Sequence, residues 1–217
     1  MGKAFAEIAF TPAVQDIQKT QGSAAAYAKF LTPEAETGAR GDRADRGDRL
    51  SERETGFIAV RDGFYQASVS ETGWPYVQFR GGPAGFLQVL DDKTIGYADY
   101  RGNRQYVSVG NLSTDNRVSL ILMDYPNQRR LKIWGHAVLT DVADDAALVD
   151  RLHVDGYKAR SERAVIITVD AYDWNCPQHI PQRLTLDELE PHITPLKAEL
   201  ARLQAENQAL RGGQAVG

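Results

Sequence analysis

From residue 66 to residue 171 the chain repeats one pattern, and that pattern leaves few folds open. Short β-prone runs, in which Val, Ile, Phe and Tyr recur, occupy 66–70, 76–79, 85–90, 94–98, 118–123, 131–139 and 164–171. Such residues suit a pleated, half-buried surface. Polar and glycine-containing turns separate the runs: Glu71-Thr72-Gly73 after the first and Asp91-Asp92-Lys93 after the third. Strands this short, at this spacing and joined by turns, predict an antiparallel barrel or sandwich. One interlude differs. Across 141–157, Val142, Ala146, Val149, Leu152 and His153 fall at helical spacing. The fold class is α+β, mainly antiparallel β.

Within this pattern, residues 73–110 carry the densest chemistry. The run ending at Ala98 leads into Asp99-Tyr100-Arg101-Gly102-Asn103-Arg104-Gln105. A strand that ends in a polar, glycine-containing turn with arginines suits a phosphate. Glycine lets the backbone approach the anion, and guanidinium forks supply charge-assisted bonds to its oxygens.

Five pieces, in order, resemble one family. They are Pro75-Tyr76-Val77-Gln78-Phe79-Arg80, the run to Tyr97, the Gly102-Asn103-Arg104-Gln105 turn, Asn116-Arg117-Val118-Ser119-Leu120, and Arg130-Leu131-Lys132-Ile133-Trp134-Gly135-His136-Ala137 with the strand they open. No single piece is specific; their order and spacing are. Together they resemble the FMN-binding split barrels of the pyridoxamine 5'-phosphate oxidase type. The resemblance is well ordered over 57–141 and looser from there to residue 181. It implies a six-stranded split β-barrel with flanking helices and a C-terminal helix, acting as a homodimer with FMN at the subunit interface. It also implies two-electron transfer, in which the flavin carries the chemistry. The substrate or electron donor would be a small molecule.

The resemblance assigns cofactor-binding roles residue by residue. Gln78, Phe79, Arg80 and Gly81 would meet the polar edge of the flavin ring, with Gln78 standing where the family commonly has Arg or Lys. Asn103, Arg104 and Gln105 match a Ser-Arg-Lys phosphate clamp, so Gln105 removes one positive charge. Asp99 matches a Thr near the phosphate and ribityl chain. Arg130 matches a Gln that reaches the flavin, and Lys132 on the same strand face would supply charge. Trp174 falls near a tryptophan that approaches the flavin from the partner subunit. Arg183-Leu184-Thr185 does not reproduce the family's substrate-binding Arg-Leu-His-Asp-Arg pattern, so the resemblance does not extend to pyridoxamine phosphate as substrate. Catalytic residues are not assigned, and no metal site is expected. Cys176 and His179 lack a second ligand pair, and Cys176 reads as a small buried residue. Two alternatives differ in class: a haem-binding or haem-degrading split barrel, for which His136 is the ligand candidate, and a flavin-binding module without turnover.

The remaining segments frame the barrel. Residues 1–49 hold helices and a charged loop. Thr11 caps and Pro12 opens a helix that Gly22 stops, a second helix spans 23–31, and both read as a lid. Residues 33–53 carry alternating acids and arginines, including Arg40-Gly41-Asp42 and Arg46-Gly47-Asp48, and read as an exposed, mobile loop. Residues 50–182 form the barrel, opened by a short helix with Ser51 as cap and Glu54 completing a capping box. Residues 183–217 form an extension, where Thr194 caps and Pro195 opens a helix. There Leu196, Leu200, Leu203, Asn207 and Leu210 follow a heptad with Asn207 at an a position. A net charge of −4 over 217 residues speaks against nucleic-acid or anionic-membrane partners. A single cysteine and the lack of a signal-like N-terminus fit a cytoplasmic protein.

Overall fold

The computed structural model describes residues 1–31, 46–174 and 176–213. Its contacts divide into two compact units, Met1–Asp124 with Arg129–Gln178, and Tyr125–Gln128 with His179–Gly217.

The first unit is built on one antiparallel sheet. Its strands are β1 (Gly63–Val69), β2 (Pro75–Gly81), β3 (Gln88–Val89), β4 (Thr94–Tyr100), β5 (Arg117–Asp124), β6 (Arg129–Asp141) and β7 (Ser161–Trp174). They lie in the order β2-β1-β5-β6-β7-β4-β3. The sheet curls so that its inward residues share one core, with Phe64, Leu120, Ile133, Ile95 and Ile167 all buried. Side chains also bridge strands that are not sheet neighbours. Tyr97 on β4 donates from its hydroxyl to Gln66 Oε1 on β1 at 2.7 Å, and Arg80 on β2 pairs with Asp99 on β4. The expected six-stranded barrel therefore carries a seventh, two-residue strand. β3 is cut short because Gly85, at φ 82°, turns the chain and Phe86 and Leu87 bury themselves outside any ladder.

Strand alternation sorts the faces. On β5, Val118, Leu120, Leu122 and Asp124 are buried, while residues between them are partly open. On β2, Tyr76, Gln78 and Arg80 are half-buried, and Val77 and Phe79 face outward. The β6–β7 ladder shifts register between Trp134 and Gly135. A β-carbon at Gly135 would meet Thr168 O at 2.2 Å, so this close approach requires glycine.

The helices of this unit are α1 (Lys3–Ala9), α2 (Pro12–Thr20), α3 (Ala24–Tyr27), α4 (Glu52–Ala59), α5 (Val107–Thr114) and α6 (Ala146–Leu152). Thr11 caps α2 as expected, accepting from Val14 N, and Gly22 stands just past its end at φ 75°. α2 buries no residue, however. The packed N-terminal element is α1, which the sequence reading missed: Phe5 stacks on Trp134 with ring centroids 4.4 Å apart, and Ala4 and Phe5 cluster with Ala171. The Ser51–Glu54 capping box opens α4 as expected.

The charged loop needs a correction at its end. Residues 32–45 lie outside the described residues, as does Arg40-Gly41-Asp42. Arg46-Gly47-Asp48-Arg49, expected to be mobile, is tied down instead. Arg46 O accepts from Ala4 N at 2.8 Å and Gly47 O accepts from Tyr172 N at 2.7 Å. Asp48 pairs with Lys93 at 2.7 Å and Arg49 with Asp92 at 2.6 Å. Backbone bonds to an element already in the core outweigh the polar composition.

The second unit holds the 125–128 turn and α7 (Leu186–Gly213). Gln128 Nε2 donates to Ile180 O at 2.6 Å, Gln182 Nε2 donates to Pro126 O at 2.9 Å, and Arg183 lies over the Tyr125 ring. α7 begins nine residues before the expected start at Pro195. Thr185 Oγ1 accepts from Glu188 N at 3.2 Å while Glu188 Oε2 accepts from Thr185 N at 2.8 Å, a capping box that overrides the Thr194-Pro195 signal. Pro191 and Pro195 lie inside the helix.

Candidate functional site

At one end of the barrel, the end of β4, the start of β7, β2 and the turn between β4 and α5 surround a cavity of about 190 Å³. Its wall is Gln78 and Arg80 from β2, Asp99 and Tyr100 from β4, Gly102, Asn103, Arg104 and Tyr106 from the turn, Ser108 and Val109 from α5, and Glu162 and Arg163 from β7.

Two features of the turn are forced by its shape. Arg104 and Tyr106 both adopt left-handed backbone, at φ 63° and 53°. Such geometry is costly for residues with a β-carbon and clusters at functional sites. Asn103 Oδ1 accepts from Gln105 N at 3.1 Å, closing the loop on itself. The turn then delivers α5 with Tyr106 at its N-cap and no side chain capping the first turn. Ser108 and Val109, in the first turn of α5, line the cavity, so the helix brings its N-terminal turn to the wall with no side chain capping it.

The electrostatics centre on Asp99. It is buried, and its two oxygens accept from different arginines: Oδ1 from Arg80 Nη1 and Oδ2 from Arg163 Nη1, the latter at 2.8 Å. Arg163 also donates from Nε to Asp141 at 2.9 Å. Burial pulls the Arg163 guanidinium down, but its bonds to Asp141 and Asp99 outweigh that and raise it. Arg104 donates from Nε to the Tyr106 hydroxyl at 3.3 Å, and that bond holds the guanidinium above its usual value. The Tyr106 hydroxyl donates in turn to Glu162 Oε1 at 3.3 Å. Gln78 Oε1 accepts from Ser108 Oγ at 2.7 Å. Arg80 Nε is buried without a hydrogen-bond partner. Three guanidinium groups thus meet two carboxylates, with the buried Arg80 Nε donor unspent. The donor set fits an anion.

Of the eleven residues expected at a cofactor, five line this cavity: Gln78, Arg80, Asp99, Asn103 and Arg104. Gln105 is exposed beside it, its backbone N–H donating to Asn103 Oδ1. Phe79 points outward, edge-on to Tyr65 at 5.4 Å, and Gly81 ends β2 without lining the wall. Arg130 and Lys132 lie on β6 away from the wall, with Lys132 Nζ 5.4 Å from the Phe5 ring centroid. Trp174 ends β7, eleven residues beyond Arg163 and so about 36 Å of strand away. Its ring meets Phe57 edge-on at 4.7 Å, sits under Arg53 and Arg129, and donates from Nε1 to Glu54 Oε1 at 2.6 Å. Asn175 lies outside the described residues. Cys176 is exposed, not buried as expected, because β7 ends at Trp174. His136 stands on the outer face with Nδ1 2.6 Å from Asp170 Oδ2.

Sequence reading missed Arg163, Tyr106, Ser108 and Glu162. Arg163 is the important omission. It opens the strand that pairs directly with β4, opposite Asp99.

The profile of the pyridoxamine 5'-phosphate oxidase family matches residues 55–174. The chain belongs to this family. Solved structures resemble it at low identity. HupZ of Group A Streptococcus shares 15% identity, covering 62% of this chain and 99% of that one at a TM-score of 0.44. An FMN-binding protein of Syntrophomonas wolfei shares 12%, covering 55% and 81% at 0.43. A protein of the pyridoxinephosphate oxidase family from Clostridium acetobutylicum, related to general stress protein 26, shares 16%, covering 63% and 94% at 0.42. No curated protein matches the chain. The family segment holds the whole barrel and every residue lining the cavity. Among the described residues no helix is long and apolar enough to cross a membrane.

Proposed function

We propose that the chain is an FMN-binding oxidoreductase whose cavity between β2, β4, β7 and α5 takes the phosphate end of the cofactor. The observation that carries this reading is the convergence of Arg80, Arg104 and Arg163 on the uncapped start of α5, with Arg80 Nε buried and unspent. A helix N-terminus and guanidinium groups are the standard means of holding a phosphate. Arg104, Asn103, Ser108 and the leading amides of α5 would hold the phosphate. Asp99, with both oxygens already bonded to arginines, keeps Arg80 and Arg163 in place and leaves its remaining acceptor capacity for hydroxyl groups. Gln78 and Arg80, on the inward face of β2, would meet the polar edge of the ring. A bound flavin supplies the two-electron chemistry, and the protein's part is to bind it, orient it and limit water. The substrate class remains a small molecule, since no residue set matches the family's pyridoxine phosphate pattern.

A homodimer belongs to the same reading. Val77 and Phe79 on the outer face of β2 are 61% and 58% exposed. Beside them a groove of about 460 Å³ is lined by Ala67, Val69, Pro75, Val118 and Trp134. A continuous apolar sheet face of this kind favours a subunit contact.

The absorbance spectrum of the purified protein, followed by titration of the apoprotein, tests the proposal. Flavin bands and tighter binding of FMN than riboflavin are expected. A Soret band would favour the haem alternative, and equal affinity for riboflavin and FMN would remove the phosphate from this cavity.

A further inference from the structure

The 28 residues of α7 span about 42 Å. Read from its observed start, the heptad is nearly twice as long as the sequence suggested. Leu186, Ile193, Leu200 and Asn207 occupy a positions, and Leu189, Leu196, Leu203 and Leu210 occupy d positions. The stripe is largely unpartnered: Leu186 is 83% exposed and Leu210 66%, with Leu196, Leu200 and Leu203 also exposed. Pro191 and Pro195 fall at f and c, on the side away from the stripe. Each proline removes one backbone donor and crowds the preceding turn. Neither proline ring therefore sits in the stripe.

We infer that α7 pairs in parallel and in register with α7 of a second copy of this chain, forming a two-stranded coiled coil. Two observations select this occupant and direction. First, in a parallel pair Asn207 meets Asn207, and two amides at one a layer satisfy each other and fix register. In a fully overlapped antiparallel pair Asn207 would face Leu189, leaving a buried amide opposite an apolar side chain. Second, the flanking charges agree. In the parallel arrangement Glu206 at g lies beside the partner's Arg211 at e, and Glu199 lies beside the partner's Gln204. In the antiparallel arrangement Glu199 would lie beside its own copy. Arg202, at an outer c position, braces both glutamates from within the helix, at 2.8 Å to Glu199 and 3.3 Å to Glu206. The inference stands without the flavin reading, because it uses only α7.

Cysteine cross-linking of the full chain tests it. The native thiol is first removed by Cys176→Ser. In that background Leu210→Cys puts a thiol in the seam, and Ala205→Cys puts one at an outer f position. In the parallel pair the two thiols at 210 share one layer, and their high effective concentration should make the disulfide-linked dimer form at least ~10-fold faster than at 205. Sedimentation confirms the linked species as a dimer. Cross-linking at 210 no faster than at 205 overturns the proposal, as does a sedimentation profile that is wholly monomeric. In the antiparallel pair the thiols at 210 lie near opposite ends of the stripe and stay reduced, which overturns the direction.

Discussion

Asp99 holds Arg80 with one carboxylate oxygen and Arg163 with the other, tying β2 to β7 through the end of β4. The arrangement restrains two guanidinium groups at the cavity wall, but it also spends part of their positive charge. Asp99→Asn keeps an acceptor and removes the charge. The variant should lose about 1–3 kcal/mol of stability in anion-free buffer, because two buried cations keep weaker partners. It should also regain more than the original protein when inorganic phosphate is added, since an anion that binds only the folded state stabilises it. Melting temperatures across a phosphate series check both signs. An equal phosphate response in the two proteins would separate Asp99 from the anion site.

Arg104 is tested through the cofactor. Its left-handed backbone and exposed position suit a residue placed for a ligand more than for packing. Arg104→Ala should remove one charge-assisted contact, worth about 1.5–3 kcal/mol, or roughly tenfold to a hundredfold in FMN affinity. Riboflavin affinity should hardly change, since that ligand lacks the phosphate. Fluorescence titration of the apoprotein with each flavin measures the split. Parallel losses for both ligands would put Arg104 beside the ring instead.

The residues explain what could be read in advance. The Ser51–Glu54 box and Thr11-Pro12 announced α4 and α2 because caps are local, and local signals survive folding. The Gly102-Asn103-Arg104-Gln105 turn was legible for the same reason. α5 was not, because Val-Ser-Val-Gly-Asn-Leu-Ser-Thr carries β-branched residues, a mid-helix glycine and no cap residue before it. Its role at the cavity was hidden with it. Arg163 was unreadable for another reason. Its place opposite Asp99 follows from the β4–β7 register, a pairing across 64 residues that no local pattern encodes. α1 was missed because its anchor, Phe5, is meaningful only against Trp134.

Two glycines should respond to alanine with opposite signs. At Gly135 a β-carbon would lie 2.2 Å from Thr168 O and 2.9 Å from Ile167 Cγ2. That carbonyl belongs to the longest ladder in the sheet, so relief requires moving β6 against β7. Gly135→Ala should cost about 3 kcal/mol or more. At Gly110, inside α5, an added β-carbon meets nothing within 4 Å. Gly110→Ala should stabilise by up to about 1 kcal/mol through helix propensity. Urea denaturation of the two variants gives the comparison. A stable Gly135→Ala protein would mean that the register shift at Trp134 is not fixed by this contact.

Trp174 was expected to approach the flavin of a partner subunit, and within its own subunit it is held by Glu54 and Phe57. Glu54 is 2% exposed. Its Oε2 is taken by Ser51, and its Oε1 accepts from Trp174 Nε1. One carboxylate therefore starts α4 and anchors the end of β7. Trp174→Phe keeps the edge-on packing against Phe57 but removes the donor, leaving a buried oxygen unpaired. That should cost about 1–3 kcal/mol. Trp174→Ala also opens a void beside Phe57 and should cost about 3–5 kcal/mol. Flavin affinity measured on the same variants separates the two roles. A structural Trp174 lowers the urea midpoint in the order Phe then Ala and leaves FMN binding near its original value at temperatures where both variants stay folded. A tryptophan that reaches a second copy's flavin would instead show weakened FMN binding in Trp174→Phe out of proportion to its loss of stability.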